Sequence, residues 1–292
     1  MRLGFVVGLL LACAAAQTAP HAAGGPHFDD RRITVNGKER RYLLYPPPAK
    51  PVGLVLMLQG EGELPERAAL DGQIEAAAAR NLVLAVPESI DHAWNDGIHR
   101  QNTDDLAFLS ALIDALVREF RLDARRVYAV GFSNGGGMAF RLACELSEKV
   151  SAIATVAASM ARDSLTSCRP RRAPAVLIIH GTADPIIPYA GGKAGGGYIA
   201  GMRDIAPLRD VFTFWRRQAG CKPRVAANRF SPSLVRESCV AGKSRVDFYS
   251  LEDGGHTWPG TKLPTLPYTG KVTPDFDATN VIFEFLADAK PL

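Results

Sequence analysis

The 292 residues carry 34 Lys and Arg against 30 Asp and Glu, a net charge of +4, with 47% hydrophobic and 22% charged residues. That balance is ordinary for a folded globular protein and excludes disorder, collagen-like repeats and coiled coil. The basic run from Arg169 to Arg172 is broken by Pro170 and has no interleaved aromatics, so nucleic acid is not an expected partner.

The chain opens with Arg2, an apolar stretch over 3–12 and small residues through Ala16. This charged, apolar and small-residue order is that of a secretory signal, with cleavage expected after Ala16 under the Ala-x-Ala rule. Leu10-Leu11-Ala12-Cys13 offers an alternative, lipoprotein processing with an anchor at Cys13. The stretch is shorter than the roughly 20 residues of a membrane span, and no other segment could serve as one. Residues 17–30 are expected to be a flexible N-terminal segment, and 31–292 a single catalytic domain.

Residues 32–35 and 40–45 flank Asn36-Gly37, the dipeptide of a tight type I′ hairpin. Residues 52–58 and 82–86 are continuous apolar runs, as expected of strands covered on both faces. Residues 66–80 read as helix. Leu106, Leu109, Leu112, Ile113, Leu116, Val117 and Phe120 share one helical face, with Thr103 or Asp104 as its N-cap. Strands at 127–130, 152–157 and 175–179 alternate with a helix at 134–147. A helix near 208–219, a strand near 245–250 and a helix at 275–288 complete the chain. The Gly-rich 191–201 is either a mobile rim or a plain surface loop. Strands alternating with helices imply the α/β class: a mostly parallel central sheet with helices on both faces.

Export leaves Cys144, Cys168, Cys221 and Cys239 in an oxidising compartment. Four cysteines allow three pairings. Cys144–Cys168 and Cys221–Cys239 are favoured because each closes a loop between neighbouring elements. No CxxC or HxxxH spacing suggests a metal.

The chemistry centres on Gly131-Phe132-Ser133-Asn134-Gly135, which joins the strand at 127–130 to the following helix. A sharp strand-to-helix turn of this kind exposes a serine hydroxyl at a helix N-terminus, where developing negative charge is favoured. The serine then needs a base and an orienting acid, later in the chain in the order acid, then histidine. Of six histidines, His21 and His27 lie near the N-terminus, and His92 and His99 precede Ser133. Asp184 follows the strand at 175–179 directly, unlike Asp204, Asp210, Asp247 or Asp253. His180 lies before it, which leaves His256 as the base. Oxyanion donors are expected from Asn134 and from the loop after 52–58, at Gln59 and Gly60.

Three blocks resemble the exported LpqC-type polyhydroxybutyrate depolymerases, relatives of the feruloyl and acetylxylan esterases of the α/β-hydrolase fold. They are residues 131–136, 180–189 (His-Gly-Thr-Ala-Asp-Pro-Ile-Ile-Pro-Tyr) and 254–260 (Gly-Gly-His-Thr-Trp-Pro-Gly). The resemblance runs from about residue 40 to the end, takes in Trp94-Asn95-Asp96 and the four cysteines, and implies the same Ser133, Asp184 and His256. One position departs: the family usually has His-Gly after its first buried strand, and here Gln59 replaces the histidine.

Trp94 and Trp258 are candidate substrate contacts, an exposed indole offering a flat apolar face, with Asn95 and Asp96 as hydrogen-bonding neighbours. The expected function is hydrolysis of short-chain esters or hydroxyalkanoate oligomers through an acyl-enzyme, with no metal or organic cofactor. Alternatives are a feruloyl or acetylxylan esterase, a peptidase on the same fold, and a non-catalytic envelope binding protein. The partner is a small or oligomeric ester; neither acyl preference nor oligomeric state is legible.

Overall fold

The computed structural model describes residues 28–98, 102–197, 204–222, 226–231 and 233–290. The signal sequence and Cys13 therefore lie outside the described residues, as do His21, His27 and His99.

The hairpin comes first: β1 (Asp29–Val35) and β2 (Lys38–Tyr45) pair antiparallel about Asn36 and Gly37, both with positive φ. Next come β3 (Gly53–Leu58), α1 (Pro65–Ala68), α2 (Gln73–Ala79) and β4 (Leu82–Pro87). The helix expected over 66–80 is thus two short ones. They are divided at Gly72, whose φ of 81° no α-helix accommodates. Helix α3 (Asp105–Phe120) is capped by Asp104, which accepts a bond from the Ala107 N–H. Then follow β5 (Val127–Phe132), α4 (Asn134–Glu145), β6 (Ala152–Val156), α5 (Ser164–Ser167) and β7 (Ala175–Gly181).

A minimal pair forms between β8 (Gly192–Lys193), in the Gly-rich stretch, and β9 (Asp204–Ile205), beyond it; residues 198–201 of the stretch lie outside the described residues. After α6 (Leu208–Gln218) come β10 (Ala226–Ser231), β11 (Leu234–Ala241), β12 (Ser244–Leu251) and finally α7 (Ala278–Asp288).

Ten strands form one sheet in the order β1-β2-β4-β3-β5-β6-β7-β12-β11-β10. The central members from β4 to β12 are parallel, and antiparallel strands flank them at both edges. Alternation along each buried strand sends side chains to two cores. Leu54, Leu56 and Leu58 pack with residues of α3, α4 and α6. Val55 and Met57 pack with residues of α2 and α7 on the other face. Burial on both faces is what made β3 to β7 read as unbroken apolar runs. Cys144 is bonded to Cys168 and Cys221 to Cys239, with Cα separations of 5.3 and 6.2 Å. Among the described residues no helix is long and apolar enough to cross a membrane.

Candidate active site

Ser133 sits between β5 and α4 with φ 51° and ψ −120°, a conformation costly for any residue with a side chain. Close packing over-determines it. A Cβ on Gly131 would collide with the backbone of Gly135, and one on Gly135 would collide with the carbonyl of Leu58. The Ser133 N–H donates to Val156 O (2.9 Å), tying the turn to the neighbouring strand β6. The two motif glycines are thus fixed by helix, elbow and β3 meeting without room for a methyl group.

Two further turns meet Ser133 at the carboxyl ends of the parallel strands. Asp184 follows β7, and its Oδ1 accepts from the N–H groups of Ile186 and Ile187, both at 2.8 Å. His256 follows β12 on a turn whose Gly255 approaches the backbone of Thr269 and Gly270 too closely for a Cβ. Its own N–H donates to Thr269 O (2.6 Å). His256 Nδ1 lies 2.9 Å from Asp184 Oδ2, and its Nε2 lies 2.9 Å from Ser133 Oγ. A carboxylate only accepts, so Nδ1 carries the proton, and Nε2 is left to accept from the serine hydroxyl. Burial alone would raise the Asp184 carboxyl. The bond from His256 and the nearby charges of both histidines outweigh it, and the group sits below its ordinary value.

His180 stands behind this pair, fully buried. Its Nε2 is 2.9 Å from Ile187 O and 3.5 Å from Asp184 Oδ2, so it bonds the loop that carries Asp184. Burial holds it below the ordinary histidine range.

Ser133 and His256 open into a cavity of about 610 Å³, with Asp184 buried behind His256. Phe132, Ile186 and Trp258 form apolar walls near Ser133, and Leu64, Leu266 and Tyr268 form an exposed apolar rim. Of the expected substrate contacts only Trp258 lies here. It is 7% exposed, its Nε1 donates to Thr279 Oγ1 (3.0 Å), and its ring meets Phe132 edge-on at 6.4 Å.

Trp94, by contrast, is completely buried, with Nε1 donating to Gln59 O (3.1 Å). It is core, which corrects the expectation of a substrate-stacking face. Asn95 and Asp96 line a separate cavity of about 630 Å³ beside α4 that does not include Ser133. The Asn95 N–H donates to Asp105, and Asp96 accepts from the Ile98 N–H, so both brace the loop before α3.

The oxyanion expectation needs correction at Gly60. The Gly60 N–H donates to Glu63 Oε2 (2.9 Å) and so is already paired with an anion of the chain itself. The Gln59 side chain is buried, with its amide donating to Pro87 O (2.7 Å) and accepting from the Ser89 N–H (3.1 Å). It joins the ends of β3 and β4 and lies off the cavity. Asn134 is the first residue of α4, so its N–H stands at the helix N-terminus. Glu63 and Asp71, absent from the expected site, line the cavity. Only the acidic pattern Glu61-Gly62-Glu63 hinted at the former.

A mostly parallel ten-stranded sheet with a serine on a strained strand-to-helix turn defines an α/β-hydrolase. Comparison with known proteins carries this further. A family model described as phospholipase/carboxylesterase matches residues 90–202. The chain is 31% identical over 261 residues to a Nocardia uniformis subsp. tsuyamanensis protein named as an esterase, NocK, covering 81% of this chain and 76% of that one. To feruloyl esterase D of Neurospora crassa it is 27% identical over 291 residues, covering 90% of this chain and 91% of that one. Of feruloyl esterase B of Piromyces equi, 28% identical over 187 residues and 60% of this chain, it spans only 34%. Among solved structures, the acetyl xylan esterase of Aspergillus awamori shares the fold, with a TM-score of 0.59, 13% identity, and coverage of 89% of this chain and 100% of that one. The chain belongs to the same esterase family as the Nocardia protein, and its class of activity is serine-dependent hydrolysis of carboxylic esters.

Proposed function

We propose that this chain is an exported esterase of the feruloyl or acetylxylan type, with Ser133 as nucleophile, His256 as base and Asp184 as the orienting acid. The observation that carries the reading is the hydrogen-bonded chain from Asp184 through His256 to Ser133, at 2.9 Å for each link, facing the cavity. The relatives named as feruloyl esterases support the acyl class, and so does the apolar rim of Leu64, Leu266 and Tyr268. The two disulfides support an oxidising compartment. Residues 31–292 are read as one catalytic domain.

In the reaction, Ser133 Oγ attacks the ester carbonyl while His256 Nε2 takes its proton. Asp184 holds the imidazole with Nδ1 protonated and stabilises the imidazolium. The Asn134 N–H, at the positive end of α4, faces the developing oxyanion. The proton passes to the leaving alkoxide, and water activated by His256 releases the acid.

A second reading, hydrolysis of hydroxyalkanoate oligomers, rests on the three sequence blocks that resemble polyhydroxybutyrate depolymerases. Assay of methyl ferulate, 4-nitrophenyl acetate and a 3-hydroxybutyrate trimer, beside Ser133→Ala, tests both. Turnover of the first two that vanishes in the variant supports the main reading. Turnover of the trimer alone supports the second. A folded wild type that acts on none of the three ends both.

A further inference from the structure

We propose that Glu63 and Asp71 make this cavity select by charge, accepting esters that are neutral or cationic beside the scissile bond and rejecting those that carry a carboxylate there. The inference rests on the reading of Ser133 as the nucleophile of this cavity and adds what the cavity admits.

The charges around the cavity are unequal. Glu61, Glu63 and Asp71 line it, and Arg67 is the only lysine or arginine among its lining residues. The Arg67 guanidinium is already engaged: one nitrogen donates to Pro264 O (2.9 Å) and another lies 3.8 Å from Glu63 Oε1. Its charge is thus partly offset by Glu63, and the acidic groups of the lining outnumber it. Glu63 reaches inward, its Oε2 on the Gly60 N–H, the donor that the sequence marks for the substrate oxygen. Asp71 is anchored by Thr261 Oγ1, which donates to its Oδ1 (2.6 Å). Both carboxylates thus have fixed positions in the wall.

An anionic group entering this space meets two held carboxylates, and the single arginine of the lining is shared with Glu63. Desolvation on entry strengthens that repulsion. Burial pushes the carboxyls of both Glu63 and Asp71 up, against the lowering effect of Arg67 on each, and for Glu63 the nearby Asp71 adds to the rise. Glu63 also lies near enough to His256 for their charges to interact. The same carboxylate that repels an anion therefore favours the imidazolium formed during attack. For hydroxyalkanoate oligomers, the ester bond next to the free acid end would be the poorest substrate, and interior bonds would escape the effect.

The test uses matched methyl esters at neutral pH: dimethyl adipate, monomethyl adipate and methyl 6-(trimethylammonio)hexanoate. Methanol release is followed for the wild type and for Glu63→Gln with Asp71→Asn. Both substitutions keep an acceptor oxygen for the Gly60 and Thr261 bonds. We expect the wild-type kcat/KM for dimethyl adipate to exceed that for monomethyl adipate by about twentyfold, with the cationic ester at least equal to the neutral one. The double variant should bring the neutral-to-anionic ratio below about fourfold, whatever its absolute rates, and added salt should narrow the wild-type ratio. If dimethyl adipate is hydrolysed and the ratio is near one, or is untouched by the double variant, the charge proposal is overturned and the esterase reading stands. If the folded wild type hydrolyses none of the three, the esterase reading fails and this proposal falls with it.

Discussion

The side chain of Asn134 grips the backbone of Trp94: its Oδ1 accepts from the Trp94 N–H at 2.6 Å, and its Nδ2 donates to the Trp94 carbonyl at 3.0 Å. The residue after the proposed nucleophile thereby fixes the loop that leads into α3. Asn134→Ala would orphan the buried Trp94 N–H, while the Trp94 carbonyl keeps the Asp96 N–H (2.9 Å). Chemical denaturation should show a loss of about 1–3 kcal/mol. A variant as stable as the wild type would mean that the loop finds other partners.

Substitution of the proposed triad should separate chemistry from binding. Ser133→Ala is expected to reduce 4-nitrophenyl acetate hydrolysis to background. Asp184→Asn should cost on the order of 10⁴ in kcat with KM little changed, because it favours the wrong His256 tautomer. Steady-state kinetics on folded variants decide the matter. An Asp184→Asn enzyme within tenfold of wild type would remove Asp184 from its proposed role.

His180 should make stability sensitive to mild acid. Its folded-state value is lowered by burial, so the native state keeps it neutral while the unfolded chain protonates it near pH 6.5. As pH falls through 6.5 the unfolded state binds more protons, and stability drops by up to about 1.4 kcal/mol per unit. Asp184 is lowered too, so its contribution is lost only below the usual carboxylate range, outside this window. Thermal unfolding of wild type and His180→Gln at pH 7 and pH 5 reads the effect. The variant should start less stable, having lost the bond to Ile187, and fall less on acidification. Parallel slopes would show that His180 is not the acid-sensitive group.

The disulfides should differ in what they protect. Cys144–Cys168, 24 residues apart in sequence, holds the end of α4, the helix that Ser133 opens. Cys221–Cys239, 18 apart, joins the segment after α6 to β11. Chain entropy assigns each a stabilisation of about 3 kcal/mol. Paired Cys→Ser substitutions should therefore lower Tm similarly, while residual activity just below Tm falls further for the pair at 144 and 168. Equal activity losses would show that α4 does not depend on its bond.

Much of this was legible because local rules and the global fold agree. Asn36-Gly37 needed positive φ, β3 and β5 needed apolar faces on both sides, and the order Ser133, Asp184, His256 follows from strand ends. Strands β10 and β11 went unseen because β10 is the edge strand of the sheet and β11 is its half-buried neighbour. In AANRFS and LVRESCVA, exposed and half-buried positions carry no apolar run. Which tryptophan faces the cavity was equally hidden. Trp94 and Trp258 sit in similar polar and glycine-rich surroundings, and only tertiary packing buries one beneath Gln59 and lines the cavity with the other. The Glu63 bond to Gly60 depends on how the loop curls back on itself, which residue types do not dictate.

The outer wall of the cavity has a genetic consequence. It is drawn from two short stretches, 60–73 and 257–269, while Ser133 sits on a different turn. The stretches are tied to each other, Arg67 to Pro264 and Asp71 to Thr261. Exchanged singly with a related chain, either would arrive without its partner's contacts. Exchanged as a pair they could transplant a substrate preference whole, leaving Ser133, Asp184 and His256 untouched.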